Sequence, residues 1–164
     1  MTKCKLCLRI TKNDEPLCKR HRDRYIYDKD LGGYRLKKVK NGTATRHIKK
    51  KFHSHEIELT KILERYYGIR NVVTSFHPVW ALSKKGALLE FDIFITNKNV
   101  LIEYNGQQHY EFVKLFHKTE KKFQAQKERD ILKERLAKDN GFKFVIIKYD
   151  EPLVEDYIIS KVGT

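Results

Sequence analysis

Cys4, Cys7, Cys18 and His21 stand in the pattern C-x2-C-x10-C-x2-H, two close pairs of ligand side chains separated by a short loop. Each pair can bite one metal ion, and three thiolates with one imidazole complete the tetrahedral shell that zinc takes. A disulfide would leave one cysteine over. A Cys-x-x-Cys redox pair would account for Cys4 and Cys7 but not for Cys18 and His21. The ligand set is closed, with no open position for water, so the reading is a structural zinc and not a catalytic one. A segment of about 25 residues buries too little apolar surface to fold unaided, and the metal then supplies the folding free energy. Residues 1–30 are therefore expected to form a zinc-binding module.

That module opens a chain of 164 residues, enough for one domain with a small accessory unit. Lys plus Arg is 35 against 21 Asp plus Glu, a net charge of +14. Residues 1–30 hold 9 basic against 5 acidic side chains, and residues 31–55 hold 8 against none, so +12 of the +14 lies in the first third. An acid-free stretch of that density is an electrostatic footprint for a polyanion. It shows no apolar helical face for a membrane surface. Residues 31–53 read as a basic linker, with turn signals at Gly32-Gly33 and Asn41-Gly42. Arg20, Arg22, Arg24, Arg35, Lys37, Lys38, Lys40, Arg46, Lys49, Lys50 and Lys51 are the candidate nucleic-acid contacts. His47, His53 and His55 read as polar linker residues able to face phosphates. The run Phe144–Ile147 is too short to span a bilayer, and Met1-Thr-Lys-Cys-Lys offers no apolar signal core. The expectation is a cytoplasmic protein with no membrane partner.

Residues 54–164 carry a different pattern. Ser54 caps a helix closed by Gly68, with Leu59, Ile62, Leu63 and Tyr66 as its apolar stripe. At about 100° per residue Glu56 leans toward that stripe and Glu58 away from it. Residues 71–76, 88–95 and 100–104 are rich in β-formers, 119–140 reads as a long helix, 142–149 as a strand and 151–160 as a last helix. The order α-β-β-β-α-β-α predicts an α/β (α+β) fold, a mixed sheet flanked by helices.

Thr96-Asn97-Lys98-Asn99 reads as the loop of a hairpin centred between Asn97 and Lys98, which pairs positions whose numbers sum to 195. Asp92 then opposes Glu103, with Cβ atoms about 5 Å apart on one face. Two carboxylates so placed repel unless a cation sits between them, and Mg2+ suits one or two carboxylates with waters and phosphate oxygens. Both acids have apolar neighbours, which argues against two solvated side chains. After Glu103, the turn at Gly106 brings Asn105, Gln107 and His109 back toward the pair. His109 is a candidate general base or phosphate ligand.

Glu56 with Leu59 and Leu63, then Glu90-Phe91-Asp92-Ile93-Phe94-Ile95, then Leu101 to Tyr110 (LIEYNGQQHY), resembles the PD-(D/E)XK nuclease superfamily. It is most similar to the very-short-patch-repair-like branch, which includes phage and intron-associated homing endonucleases. Arg129-Asp130-Ile131-Leu132-Lys133, Gly141 and Phe144–Ile147 extend the likeness over about residues 54–150. The resemblance implies a restriction-endonuclease-like fold and a Mg2+-dependent (or Mn2+-dependent) endodeoxyribonuclease that hydrolyses phosphodiester bonds. Glu56, Asp92 and Glu103 would hold the metal, and His109 would match the family's histidine. The family's lysine two residues after the second acid is here Asn105. Gln107, His109, Lys127 or Lys133 would take its role. The expected partner is DNA, with RNA as the other candidate and the host cytoplasm as the compartment of a phage-encoded member. Two other functions fit the same residues: a non-catalytic nucleic-acid-binding adaptor on a nuclease fold, and a structure-specific junction resolvase. Oligomeric state is left open.

Overall fold

The computed structural model describes residues 2–8, 15–36, 54–112 and 119–163. Lys37, Lys38, Lys40, Arg46, His47, Lys49, Lys50, Lys51 and His53 lie outside the described residues, as does the side chain of Arg20.

A short helix α1 (Lys19–Arg22) follows the third cysteine and leads into the hairpin β1 (Tyr25–Asp28) and β2 (Gly33–Leu36). Then come α2 (Ser54–Tyr67), β3 (Val72–Pro78), β4 (Phe91–Ile95), β5 (Val100–Asn105), α3 (Glu120–Asp139), β6 (Lys143–Lys148) and α4 (Glu155–Val162). The strands form one six-stranded mixed sheet in the order β1-β2-β3-β4-β5-β6. Neighbours are antiparallel from β1 through β5, and β6 joins β5 in parallel through the α3 crossover.

Helices cover both faces. On one, Leu59, Ile62, Leu63 and Tyr67 of α2 and Ile158, Ile159 and Val162 of α4 pack on Ile93, Ile95, Val100, Ile102, Val145 and Ile147. On the other, Ala137, Leu132 and Leu136 of α3 meet an aromatic layer of Phe76, Phe91, Phe94 and Phe144 around Leu101. The stripe of α2 differs by one residue from the sequence expectation. Residues 59, 63 and 67 continue one line of four-residue steps, so Tyr67 is buried while Tyr66 stays 47% exposed against its ring. Tyr67 Oη also donates to the Gly163 carbonyl, tying α2 to the end of α4.

The helix α3 starts where Thr119 accepts a hydrogen bond from the Lys122 N–H, and it ends before Gly141, whose φ of 77° suits a residue without a Cβ. Thr96–Lys98 form a 3-10 turn closed by Asn99 in the left-handed region, so the β4–β5 hairpin is tight.

The amino-terminal segment is not strung apart from this sheet. Gly33 pairs with Pro78 and Tyr34 with His77, which makes β1 and β2 the first strands of the same sheet. Gly33 is required there, because a Cβ would lie 2.6 Å from the Phe76 ring and 2.7 Å from the His77 carbonyl. The first residues of the stretch read as a basic linker, Gly33–Leu36, are thus strand.

Candidate functional site: a carboxylate pair and a cysteine–histidine centre

The hairpin register pairs Ile93 with Ile102, Phe94 with Leu101 and Ile95 with Val100, so every pair sums to 195. One step further sets Asp92 opposite Glu103, and there the regular ladder gives way. The Asp92 N–H donates to Glu103 Oε1 at 3.3 Å, and Asp92 Oδ2 accepts from the Tyr104 N–H at 2.8 Å. The two side chains thus take up hydrogen bonds that backbone partners would otherwise make. On the other side of β4 the register sets Ser75 opposite Asp92, and Ser75 holds a φ of 50°. A non-glycine in the left-handed region within a strand is a local irregularity of the kind found at functional sites.

Glu103 is 6% exposed, and its carboxylate accepts a hydrogen bond from Lys133 Nζ of α3. Burial pushes the Glu103 carboxyl up to about 8; the Asp92 charge adds to this, and the Lys133 ammonium opposes it. Burial raises Asp92 as well, with Lys133 again opposing. Both acids therefore hold protons more tightly than free carboxyls, which is the direction a nearby cation would reverse. Oxygens so placed still have acceptor capacity, since each carboxylate oxygen has two lone pairs.

A small cleft opens beside Glu103, lined by Glu103, Asn105, Asp130, Lys133, Phe144 and Ile146. His109 is the last residue of a 3-10 turn, Gln107–His109, that starts after Gly106, and its Nδ1 lies 2.8 Å from Asp130 Oδ2. Asp130 and Lys133 are three residues apart on α3 and so share a face. Lys133 grips Glu103 while Asp130 orients His109, and the pairing through Nδ1 leaves Nε2 as the ring's second functional nitrogen.

Of the residues singled out from sequence, Asp92, Glu103, Lys133 and His109 belong to this constellation. Gln107 does not: it is exposed, and its Nε2 donates to Glu111 at 2.8 Å. Lys127 lies over the Phe123 ring, 4.4 Å from its centroid. Glu56 is half-buried in the first turn of α2, the helix covering the opposite face from α3, and does not join the pair in one ligand cluster. The preceding His55, read from sequence as a linker residue, bonds through Nδ1 to Tyr104 Oη at 2.8 Å. Asp130 escaped the sequence reading as a site residue. Its signal was the i, i+3 relation to Lys133.

The second site is the cysteine–histidine group. The ligand atoms of Cys4, Cys7, Cys18 and His21 all lie within 4.8 Å of one another, the one such convergence of three or more ligand residues among the described residues. Cys4 Sγ and Cys18 Sγ each lie 3.4 Å from His21 Nδ1, and Cys7 Sγ is 3.8 Å from Cys18 Sγ. Zinc–sulfur and zinc–nitrogen bonds of about 2.3 and 2.1 Å put the corners of a tetrahedron about 3.8 Å (S to S) and about 3.6 Å (S to N) apart. The group thus has the dimensions to hold a metal such as zinc. The three cysteines are free of disulfides. Of the basic residues nearby, Arg22 pairs with Glu15, and Arg35 Nε donates to Asp28 Oδ2 at 2.7 Å; Arg24 is exposed.

Between the two sites lies His77, 5% exposed, with neither ring nitrogen hydrogen-bonded. Its Nε2 is 3.6 Å from Glu90 Oε2, and the Tyr25 ring meets it edge-on at 5.1 Å. Burial lowers its pKa to about 4, with the charges of His21 and Lys133 adding in the same direction.

No family model matches the chain, and no solved structure matches it. Three viral proteins resemble part of it. Uncharacterized protein 307L of Invertebrate iridescent virus 6 is 35% identical over 74 residues, 45% of this chain and 38% of that protein. Uncharacterized protein 094L of Frog virus 3 is 35% identical over 74 residues, covering 44% and 48%. Uncharacterized protein 033L of Invertebrate iridescent virus 3 is 38% identical over 64 residues, covering 39% and 33%. The chain thus spans between a third and a half of the length of these relatives.

Proposed function

We infer that this protein is a metal-dependent DNA endonuclease of restriction-endonuclease-like architecture, with Asp92 and Glu103 as its Mg2+ (or Mn2+) ligands. The observation that carries this reading is the Asp92–Glu103 pair, Glu103 buried and Asp92 half-buried, placed where the β4–β5 ladder opens and met there by Lys133. A divalent cation held by the two acids in place of their protons would let a phosphate diester approach them. A cation held by these acids would supply neutralisation of the charge building on the phosphoryl oxygens and a lowered pKa for the attacking water.

The chain's own residues supply the rest. Asp92 and Glu103 would hold the cation through their carboxylate oxygens. Lys133 takes the place of the family's missing lysine, reaching the second acid from α3 instead of from β5. His109, held by Asp130, accepts the proton of the attacking water or donates one to the leaving 3′ oxygen. The basic first third, including residues 37–51, contributes phosphate contacts that hold the substrate.

The test is incubation of the purified chain with linear, circular and branched DNA and with RNA, with Mg2+ or chelator. Mg2+-dependent cleavage that Asp92→Ala abolishes, with binding retained or tightened, supports the assignment. Binding without cleavage in Mg2+ and Mn2+ would instead make the chain an adaptor on a nuclease fold, a reading that draws on Asn105 standing where the family has its lysine. Cleavage confined to branched DNA would identify a junction resolvase.

A further inference from the structure

The cysteine–histidine centre is built into the segment that delivers Asp92. The Leu88 N–H donates to the Lys5 carbonyl at 2.9 Å, and Lys5, which sits between Cys4 and Cys7, also donates its N–H to Pro16 at 2.9 Å. Leu88 is buried in one apolar cluster with Cys4, Leu17 and Tyr34, with Cys7 and Cys18 packed against it. Leu88 belongs to the connection between β3 and β4, residues 79–90, which folds back on itself through a Leu82–Leu88 bridge and a Leu89 N–H bond to Ala81. From there the chain runs directly into Phe91 and Asp92. Phe91 packs on Trp80 of the same connection, with ring centroids 5.8 Å apart, and lies under Lys133 Nζ at 5.1 Å.

We propose that the Cys4–Cys7–Cys18–His21 centre, with zinc bound, clamps the β3–β4 connection through Lys5 and Leu88 and thereby sets the position of Asp92. The centre is a brace for the carboxylate pair and not a tethered module that only binds nucleic acid. With the metal bound, Cys4 and Cys7 fix the Lys5 carbonyl between them. Without it, a loop this short has little else to hold that carbonyl in place, and Leu88 loses both its acceptor and its apolar neighbours. Coupling of this kind is reciprocal: whatever the metal does for Leu88, Leu88 does for metal affinity.

The inference can be tested without any nuclease assay. Trp80 is the chain's one tryptophan and lies on the clamped connection, so its emission reports on that segment. Zinc content of the purified full chain is measured first. Amide exchange and Trp80 emission are then compared with zinc bound, after chelation, and in Cys7→Ser. Metal loss should speed exchange of the Leu88 amide by about tenfold or more and shift Trp80 emission to the red, while the Leu101 and Ile102 amides stay protected. Leu88→Ala, with all four ligands intact, should weaken zinc binding by about fivefold or more. A purified chain without zinc overturns the proposal, as do Leu88 exchange and Trp80 emission that ignore the metal. If the metal-free chain opens as a whole, Leu88→Ala decides: weakened zinc binding sustains the clamp, and unchanged binding overturns it.

Discussion

Glu103→Gln is expected to stabilise the magnesium-free protein at neutral pH, and the size of the gain follows from where the carboxyl sits. In the unfolded chain it titrates near 4.5, and in the folded chain near 8, raised by burial and by Asp92 against the pull of Lys133. Below 4.5 both states hold the proton and the group costs nothing. Between 4.5 and 8 only the folded state holds it, so stability falls as pH rises through that window. At about 1.4 kcal/mol per pH unit, the penalty is about 3 kcal/mol at pH 7 and about 1 kcal/mol at pH 5. Glutamine keeps the shape and the acceptor for Lys133 but does not titrate, and the Asp92 charge still acts on that ammonium.

Urea unfolding in zinc-replete, magnesium-free buffer measures the difference. The gap between variant and wild type should widen by about 2 kcal/mol from pH 5 to pH 7, and the full difference of about 3 kcal/mol at pH 7 should raise the melting midpoint there by roughly 6–12 °C for a chain of this size. Added Mg2+ should then stabilise the wild type and not the variant, more at pH 8 than at pH 6, because the cation must displace the proton. Parallel pH curves, or a variant less stable at pH 7, would refute the reasoning. Glu103 would then be an ionised partner that Lys133 holds for stability, and the case for a metal ligand would weaken with it.

His109→Ala should lower the cleavage rate by on the order of 10²–10⁴ while leaving Mg2+-induced stabilisation intact. Asp130→Asn should act in the same direction but less, with an altered pH–rate profile. A lowered melting temperature with an unchanged rate per folded molecule would make both residues structural. For the basic segment, DNA affinity should fall with salt at a slope near −4 to −5 if about five side chains touch phosphates. Neutral substitution of Lys37, Lys38, Lys40, Lys49, Lys50 and Lys51 should flatten that slope, and an unchanged slope would place the contacts elsewhere. Substitution is the cleaner perturbation, because truncation at Phe52 would also strip β1 and β2 from the sheet.

Much of this arrangement was legible because it is local. The Cys and His spacing states which side chains can share a metal, and the short Thr96–Asn99 loop leaves one register in which Asp92 faces Glu103. What escaped depends on contacts distant in sequence. Nothing near Gly33 announces that β2 will lie on β3; that follows from a glycine close enough to Phe76 to exclude a Cβ. Helix phase told which way Glu56 leans, but not that α2 and α3 would cover opposite faces. Gln107 was placed by proximity in sequence, yet its amide finds Glu111 one turn on, the nearer partner for an exposed side chain.

The departures from ordinary folding rules are themselves informative, because they fall together. Ser75 holds a left-handed φ in mid-strand, Asp92 and Glu103 interrupt a ladder between apolar residues, Lys133 is buried, and His77 is buried with no hydrogen bond. Each is unfavourable by about 1–3 kcal/mol when taken alone. An apolar pair at positions 92 and 103 would have continued the hairpin at lower free energy, and Lys133 would then have had no reason to enter the core. Such residues gathered at one place in a sheet are costly, and the metal site proposed above would account for their being kept. Along the β3–β4 connection the same region is tied to the cysteine–histidine centre through Leu88, where a bound metal can return part of that stability.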